Sequence, residues 1–218
     1  MTARLLIGNK NTSSWSLRAW LLFKHFDIPF EEVCFRLDDP VERATIKDHS
    51  TTGKVPCLKL GDLEIWDSLA IGEYLAETYP DKAYWPSDAT ARARARSVTA
   101  EMHSGFTGIR SIWPMDIIVE NAGTSCPTGM RADLERILTI WETCRADFGE
   151  AAGGPFLFGE FGIADAFYAP VVSRIRTYGP VSMSPRAKAY AEAIWTLPAM
   201  QSWIKGAYDE KALGWYEV

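Results

Sequence analysis

Asn11-Thr12-Ser13-Ser14-Trp15-Ser16-Leu17-Arg18 stands where a strand hands over to a helix. Before it, Leu5-Leu6-Ile7 is a short apolar run of strand character. After it, Leu17, Trp20, Leu21 and Phe26 recur at helical spacing, which predicts a helix from about residue 16. Hydroxyl side chains favour helix starts. A helix start also offers free backbone N–H groups and the positive end of the helix dipole, and both suit an anion. A hydroxyl placed there can donate to the same anion. On its own the cluster reads first as a cap, with Ser13, Ser14 or Ser16 in that role. The surrounding chain shifts that balance.

Outward from this stretch, residues 1–80 alternate strand and helix. Strands are predicted over 5–7, 30–35, 55–60 and 63–66, the last two joined by the Gly61-Asp62 turn of a hairpin. Helices or turns are predicted over 16–26, 40–47 and 68–78, giving the order β-α-β-α-β-β-α of an α/β unit. Pro80 and Pro86, with polar neighbours, mark residues 81–87 as a linker. Residues 88–218 read as all helix. One long helix is expected from 89 to about 115, bent or ended by Pro114. A loop is expected over 121–129, a helix over 130–148 and an apolar glycine-bearing loop over 153–161. Residues 163–178 are nearly all apolar, which predicts a central, buried helix. Two shorter helices follow over 185–195 and 198–207, each with proline in its first turn. The aromatic tail 214–218 is expected to fold back on the body.

Composition narrows the classes. The chain has 218 residues, 47% of them hydrophobic and 23% charged, enough for a sizeable core in one or two domains. Its net charge of −5 supplies no basic face, which counts against nucleic acid as a partner. No run approaches the length of a membrane span, and Met1-Thr2-Ala3-Arg4 opens no signal-like segment, so a cytoplasmic location is expected. Cys34, Cys57, Cys126 and Cys144 are scattered, and His25, His49 and His103 match no ligand spacing, so no metal is expected.

Four local patterns then combine: Ser13-Ser14-Trp15-Ser16 with Arg18, Gly53-Lys54-Val55-Pro56-Cys57-Leu58, Asp67-Ser68, and Gly159-Glu160-Phe161-Gly162-Ile163-Ala164-Asp165. In their order and spacing they resemble the cytosolic glutathione S-transferase superfamily over essentially the whole chain. The opening is similar to the serine-type, zeta-like signature, with Trp15 where that signature has cysteine. The resemblance implies a thioredoxin-like N-terminal domain, an all-helical C-terminal domain, a homodimer, and glutathione as co-substrate in detoxification chemistry on a small electrophile.

Site roles follow from the same resemblance. Ser13 is the expected donor to the glutathione thiolate, with Ser14 exchanging roles if the turn is offset by one residue. Val55-Pro56 is the expected cis peptide, leaving the Val55 backbone free to pair with the tripeptide as an added strand. Lys54 faces a ligand carboxylate, and Trp15 adjoins the tripeptide. Asp67 accepts the γ-glutamyl ammonium, while Ser68 holds the α-carboxylate at a helix start. Asp67 is one methylene shorter than the family's usual Glu or Gln. His103, Phe106 and Arg110 are expected to wall the second-substrate pocket. His103 and Arg110, seven residues apart on the expected long helix, share a face that suits an anionic or polar co-substrate. Asp165 is expected to be structural, reaching back to the amide that starts its helix, with a cost of about 1 kcal/mol if lost.

Three functions fit: a transferase, a zeta-like glutathione-dependent isomerase, or a binding scaffold without turnover. Disulfide reduction is the poorest fit, because no cysteine lies in the first turn of the first helix.

Overall fold

The computed structural model describes residues 2–120, Gly123 and 127–216. Most of the loop expected over 121–129, Cys126 with it, lies outside the described residues, as do Glu217 and Val218.

The N-terminal unit is a four-stranded sheet flanked by helices. Its strands are β1 (Ala3–Gly8), β2 (Phe30–Phe35), β3 (Cys57–Leu60) and β4 (Leu63–Trp66), in the order β2-β1-β3-β4. β1 and β2 are parallel, joined by α1 (Ser14–His25), whereas β3 and β4 run antiparallel as a hairpin. Gly61 adopts φ +60 at the hairpin turn, a value that favours glycine. α2 (Pro40–His49) and α3 (Ser68–Thr78) complete the unit. Each starts on an aspartate: Asp39 accepts from Val41 and Glu42, Asp67 from Leu69. β3 begins two residues later than expected. The Val55–Pro56 peptide is cis and proline has no N–H for the ladder, so pairing starts at Cys57.

The C-terminal unit is helical: α4 (Ala89–Ser104), α5 (Thr107–Ile112), α6 (Thr128–Cys144), α7 (Ile163–Tyr178), α8 (Pro185–Thr196) and α9 (Pro198–Ala212). The single long helix expected to about residue 115 is instead two. Gly105 is extended, and Phe106 takes the left-handed φ of 56 that turns the chain. Glycine weakens helix propagation at this point. α6 also stops short, passing into a π-helical turn over Arg145–Gly149.

α7 is buried along almost its whole length and packs on α1 and α4, so one core runs through both units. Leu17, Leu21, Leu22 and Phe23 of α1 contribute to it, each worth about 1.5–3 kcal/mol relative to exposure. Asp165 does more than expected. It accepts the Gly162 amide and also the Leu157 amide, both at 3.0 Å, so it pins the glycine-bearing loop to the start of α7. The tail docks as expected through residue 216, with Trp215 beneath Arg36 and the Tyr216 hydroxyl bonded to Glu210.

Candidate active site

Three chain segments converge on a cleft of about 630 Å³: the start of α1, the turn before β3 and the start of α3. Of the residues expected at the site, Trp15, Lys54, Val55, Pro56, Asp67 and Ser68 meet there. Thr52 and Trp66 also line it and carried no motif; adjacency to Lys54 and Asp67 is their only trace in the sequence. A larger cleft, about 780 Å³, opens between the linker and the start of α7, away from the serines. In the smaller one a helix start and a strand edge outside the ladder coincide.

Ser13 is the N-cap of α1, yet its hydroxyl caps nothing; it donates to Ser16 Oγ at 2.7 Å. Ser16 Oγ also accepts the Gly8 amide at 3.0 Å, tying the helix start to the end of β1. The approach requires glycine at position 8, since a Cβ there would lie 2.9 Å from Ser13 Oγ. Ser14 opens the helix and is almost as buried as Ser13. The first-turn amides have no acceptor within the helix. Asp67 holds a positive φ of 73 at the start of α3, with one oxygen on the Leu69 amide. Ser68 Oγ is buried without a hydrogen-bond partner among the described residues.

Trp15, 37% exposed, separates the cleft from a group of cations behind it. The Arg18 and Arg110 guanidinium carbons lie 4.3 and 4.7 Å from its ring centre, and His103 meets it edge-on at 5.3 Å. Arg18 is only 1% exposed and also lies over Phe167 at 4.8 Å. Its Nε and Nη1 have no hydrogen-bond partner among the described residues, and neither has Nε of Arg110. Burial, then the nearby Arg110 and Arg174 cations, holds the Arg18 pKa well below that of an ordinary arginine, against the pull of Asp67. Burial and Arg110 likewise bring Arg174 down to about 10, although its N–H groups are engaged by the carbonyls of Trp113 and Pro170. A buried cation short of partners, as Arg18 is, favours an anion with several acceptor oxygens. In the sequence Arg18 stands out only as part of the serine signature, and Arg174 belongs to no motif.

His103 and Arg110 sit on different helices, so helical spacing is not what joins them. The chain doubles back at Phe106, and Arg110 donates to the carbonyls of Met102 and His103. Phe106 itself is buried at that reversal, and the cleft wall includes none of His103, Phe106 and Arg110, nor Ser13 or Ser14. His103 Nε2 reaches Asp67 Oδ2 at 3.3 Å. Burial lowers the His103 pKa, and Arg18 and Arg110 push the same way against Asp67.

No described cysteine is activated. Burial pushes the Cys57 and Cys144 thiols up to about 11 and raises Cys34 further. Among the described residues no cluster of three or more His, Cys, Asp or Glu side chains gathers as metal ligands, and no described helix is long and apolar enough to cross a membrane.

A thioredoxin-like sheet joined to a helical unit, with a serine-bearing helix start and a cis-proline turn before β3, defines the glutathione S-transferase class of fold. Residues 12–78 match the glutathione S-transferase N-terminal domain and residues 88–205 the C-terminal domain, and the chain belongs to this family. It is 28% identical over 109 residues to a probable maleylacetoacetate isomerase of Caenorhabditis elegans, covering 50% of each chain. It is 34% identical over 101 residues to glutathione S-transferase theta-1 of Homo sapiens, covering 43% of this chain and 41% of that one. The matched stretch thus spans half or less of the length of either relative. A glutathione transferase homologue from Burkholderia, solved with bound glutathione, superposes with a TM-score of 0.71 at 24% identity, over 96% of this chain and 99% of that one.

Proposed function

We propose that the protein is a glutathione-dependent enzyme that holds the tripeptide's thiol as a thiolate for attack on a small electrophile. The observation that carries this is the convergence on one cleft of the α1 start, through Trp15, the Val55–Pro56 turn and the Ser68 helix start, with Ser13 buried two residues before Trp15. A free thiol ionises near about 8.5, and each unit of depression is worth about 1.4 kcal/mol. Ser13 supplies part of it by swinging its hydroxyl from Ser16 onto the sulfur, and the α1 amides supply the rest. The Val55 backbone, outside the ladder, pairs with the tripeptide as an added strand. Ser68 Oγ and the α3 amides take the α-carboxylate. Asp67 takes the ammonium, and Lys54 takes the other carboxylate. Residues 1–80 form the tripeptide-binding domain in this reading, and residues 88–218 form the wall for the second substrate. A homodimer in the cytoplasm is the setting the family resemblance implies.

A second reading, an isomerase in which the thiolate adds to a conjugated double bond and leaves again, is favoured by the Arg18, Arg110 and Arg174 group. Those cations suit a carboxylate-bearing substrate, as the name of the nematode relative implies. Retention on immobilised glutathione, followed by turnover assays with a generic electrophile and with a maleyl-type dicarboxylate, separates the readings. Ser13→Ala serves as the control. Retention without turnover of either substrate leaves a binding scaffold, and loss of retention removes the proposal altogether.

A further inference from the structure

The loop that feeds Ser13 is held from the far end of the chain. Glu210 on α9, 6% exposed, accepts the Lys10 amide at 2.8 Å and the Asn11 amide at 3.3 Å. The Tyr216 hydroxyl and, at 3.7 Å, the Cys34 thiol also donate to it. The Lys10 ammonium is turned away onto Glu32, so the Glu210 carboxylate is met chiefly by backbone and neutral donors. Trp203 of the same helix donates its indole N–H to the Lys10 carbonyl at 2.8 Å. Tyr216 in turn accepts from Asn9 at 3.0 Å. The next link is local: the Ser13 amide donates to the Asn9 carbonyl at 3.0 Å. A route of hydrogen bonds therefore runs from α9 and the tail through residues 9–11 to the serine turn.

We infer that Glu210 is a positioning residue for thiol activation, fixing the serine turn through the Lys10 and Asn11 amides, with Tyr216 fixing Glu210. The inference rests on Ser13 as the thiolate donor. A carboxylate is suited to the task because its two oxygens can meet two successive amides and a hydroxyl at once. A glutamine keeps the shape but turns an N–H₂ toward one of those donors. Small displacements of a reacting group are costly, about a hundredfold per ångström in unfavourable cases.

The test is a double-mutant cycle read on the full-length protein saturated with glutathione, by titrating the ultraviolet absorbance of the bound thiolate. Glu210→Gln is expected to move the titration midpoint up by about half a pH unit or more in the Ser13 background. In the Ser13→Ala background it is expected to move it hardly at all. Tyr216→Phe, a milder change that leaves the carboxylate in place, is expected to follow the same pattern with a smaller shift, and it carries the test if Glu210→Gln fails to fold. Equal shifts with and without Ser13, or no shift from either variant, overturn the positioning role while leaving Ser13 as donor. A wild-type protein with no bound-thiolate signal, or one that Ser13→Ala leaves unchanged, overturns the underlying function as well.

Discussion

Replacing Arg18 by methionine should stabilise the free protein while destroying its affinity for a carboxylate-bearing second substrate such as maleate. The side chain is buried, with two N–H-bearing nitrogens lacking partners among the described residues and two further arginines within electrostatic reach. Each unmet buried donor costs about 1–3 kcal/mol, so the pair costs about 2–6 kcal/mol. The stacking of the guanidinium on Trp15 and Phe167 returns about 1–2 kcal/mol per ring. Methionine is close in length, fills the space with a flexible apolar chain, and removes the repulsion with Arg110 and Arg174. The balance is a gain of about 1–2 kcal/mol in unfolding free energy, read from the urea midpoint at unchanged slope. Maleate at about a hundred times its dissociation constant should raise the wild-type stability by about 2.7 kcal/mol and the variant far less. A loss of more than about 1 kcal/mol in the variant would refute the reasoning, because it would mean that the Arg18 donors are satisfied in the folded protein.

Ser13→Ala should raise the pKa of the bound thiol by about one to two units while retention on immobilised glutathione persists; Ser14→Ala should change it little, and the reverse result would exchange their roles. Gly8→Ala should lower activity and cost about 1–3 kcal/mol, since its Cβ would stand 2.5 Å from Leu37 and 2.9 Å from Ser13 Oγ; thiolate titration and urea unfolding read the two effects. Asp165→Ala should cost about 2–5 kcal/mol, because two buried amides lose their acceptor, well beyond the loss of a single cap; denaturant unfolding checks it. Burial raises the Asp165 pKa to about 7, so the native state holds a proton that the unfolded chain releases near the ordinary carboxyl value. Its contribution is therefore complete below pH about 4 and lost as pH rises through about 7, so the stability of wild type relative to Asp165→Asn should fall from pH 5 to pH 8.

Much of the site was legible because it is made of short segments whose chemistry is local. A serine before a helix, a proline before a strand and an Asp-Ser pair before another helix each announce a helix start or a break in a ladder. Such features depend on residues a few positions apart. The break at Gly105-Phe106 was missed because the α4 pattern continues past it, and a single glycine is compatible with a helix until tertiary contacts choose otherwise. The pairing of His103 with Arg110 was anticipated from a spacing that the chain does not use.

What the sequence determined by itself is the order of elements over residues 1–80, the central α7 and the hydroxyl-bearing start of α1. Periodicity, capping and turn chemistry act within a few residues, so they survive without knowledge of the fold. Only the tertiary structure decided that Arg18, Arg110 and Arg174 share one buried region, that Asp165 also holds a loop, and that Glu210 reaches the serine turn from 200 residues away. These depend on which faces meet across the core. That is set by packing of the whole chain, which no local pattern encodes.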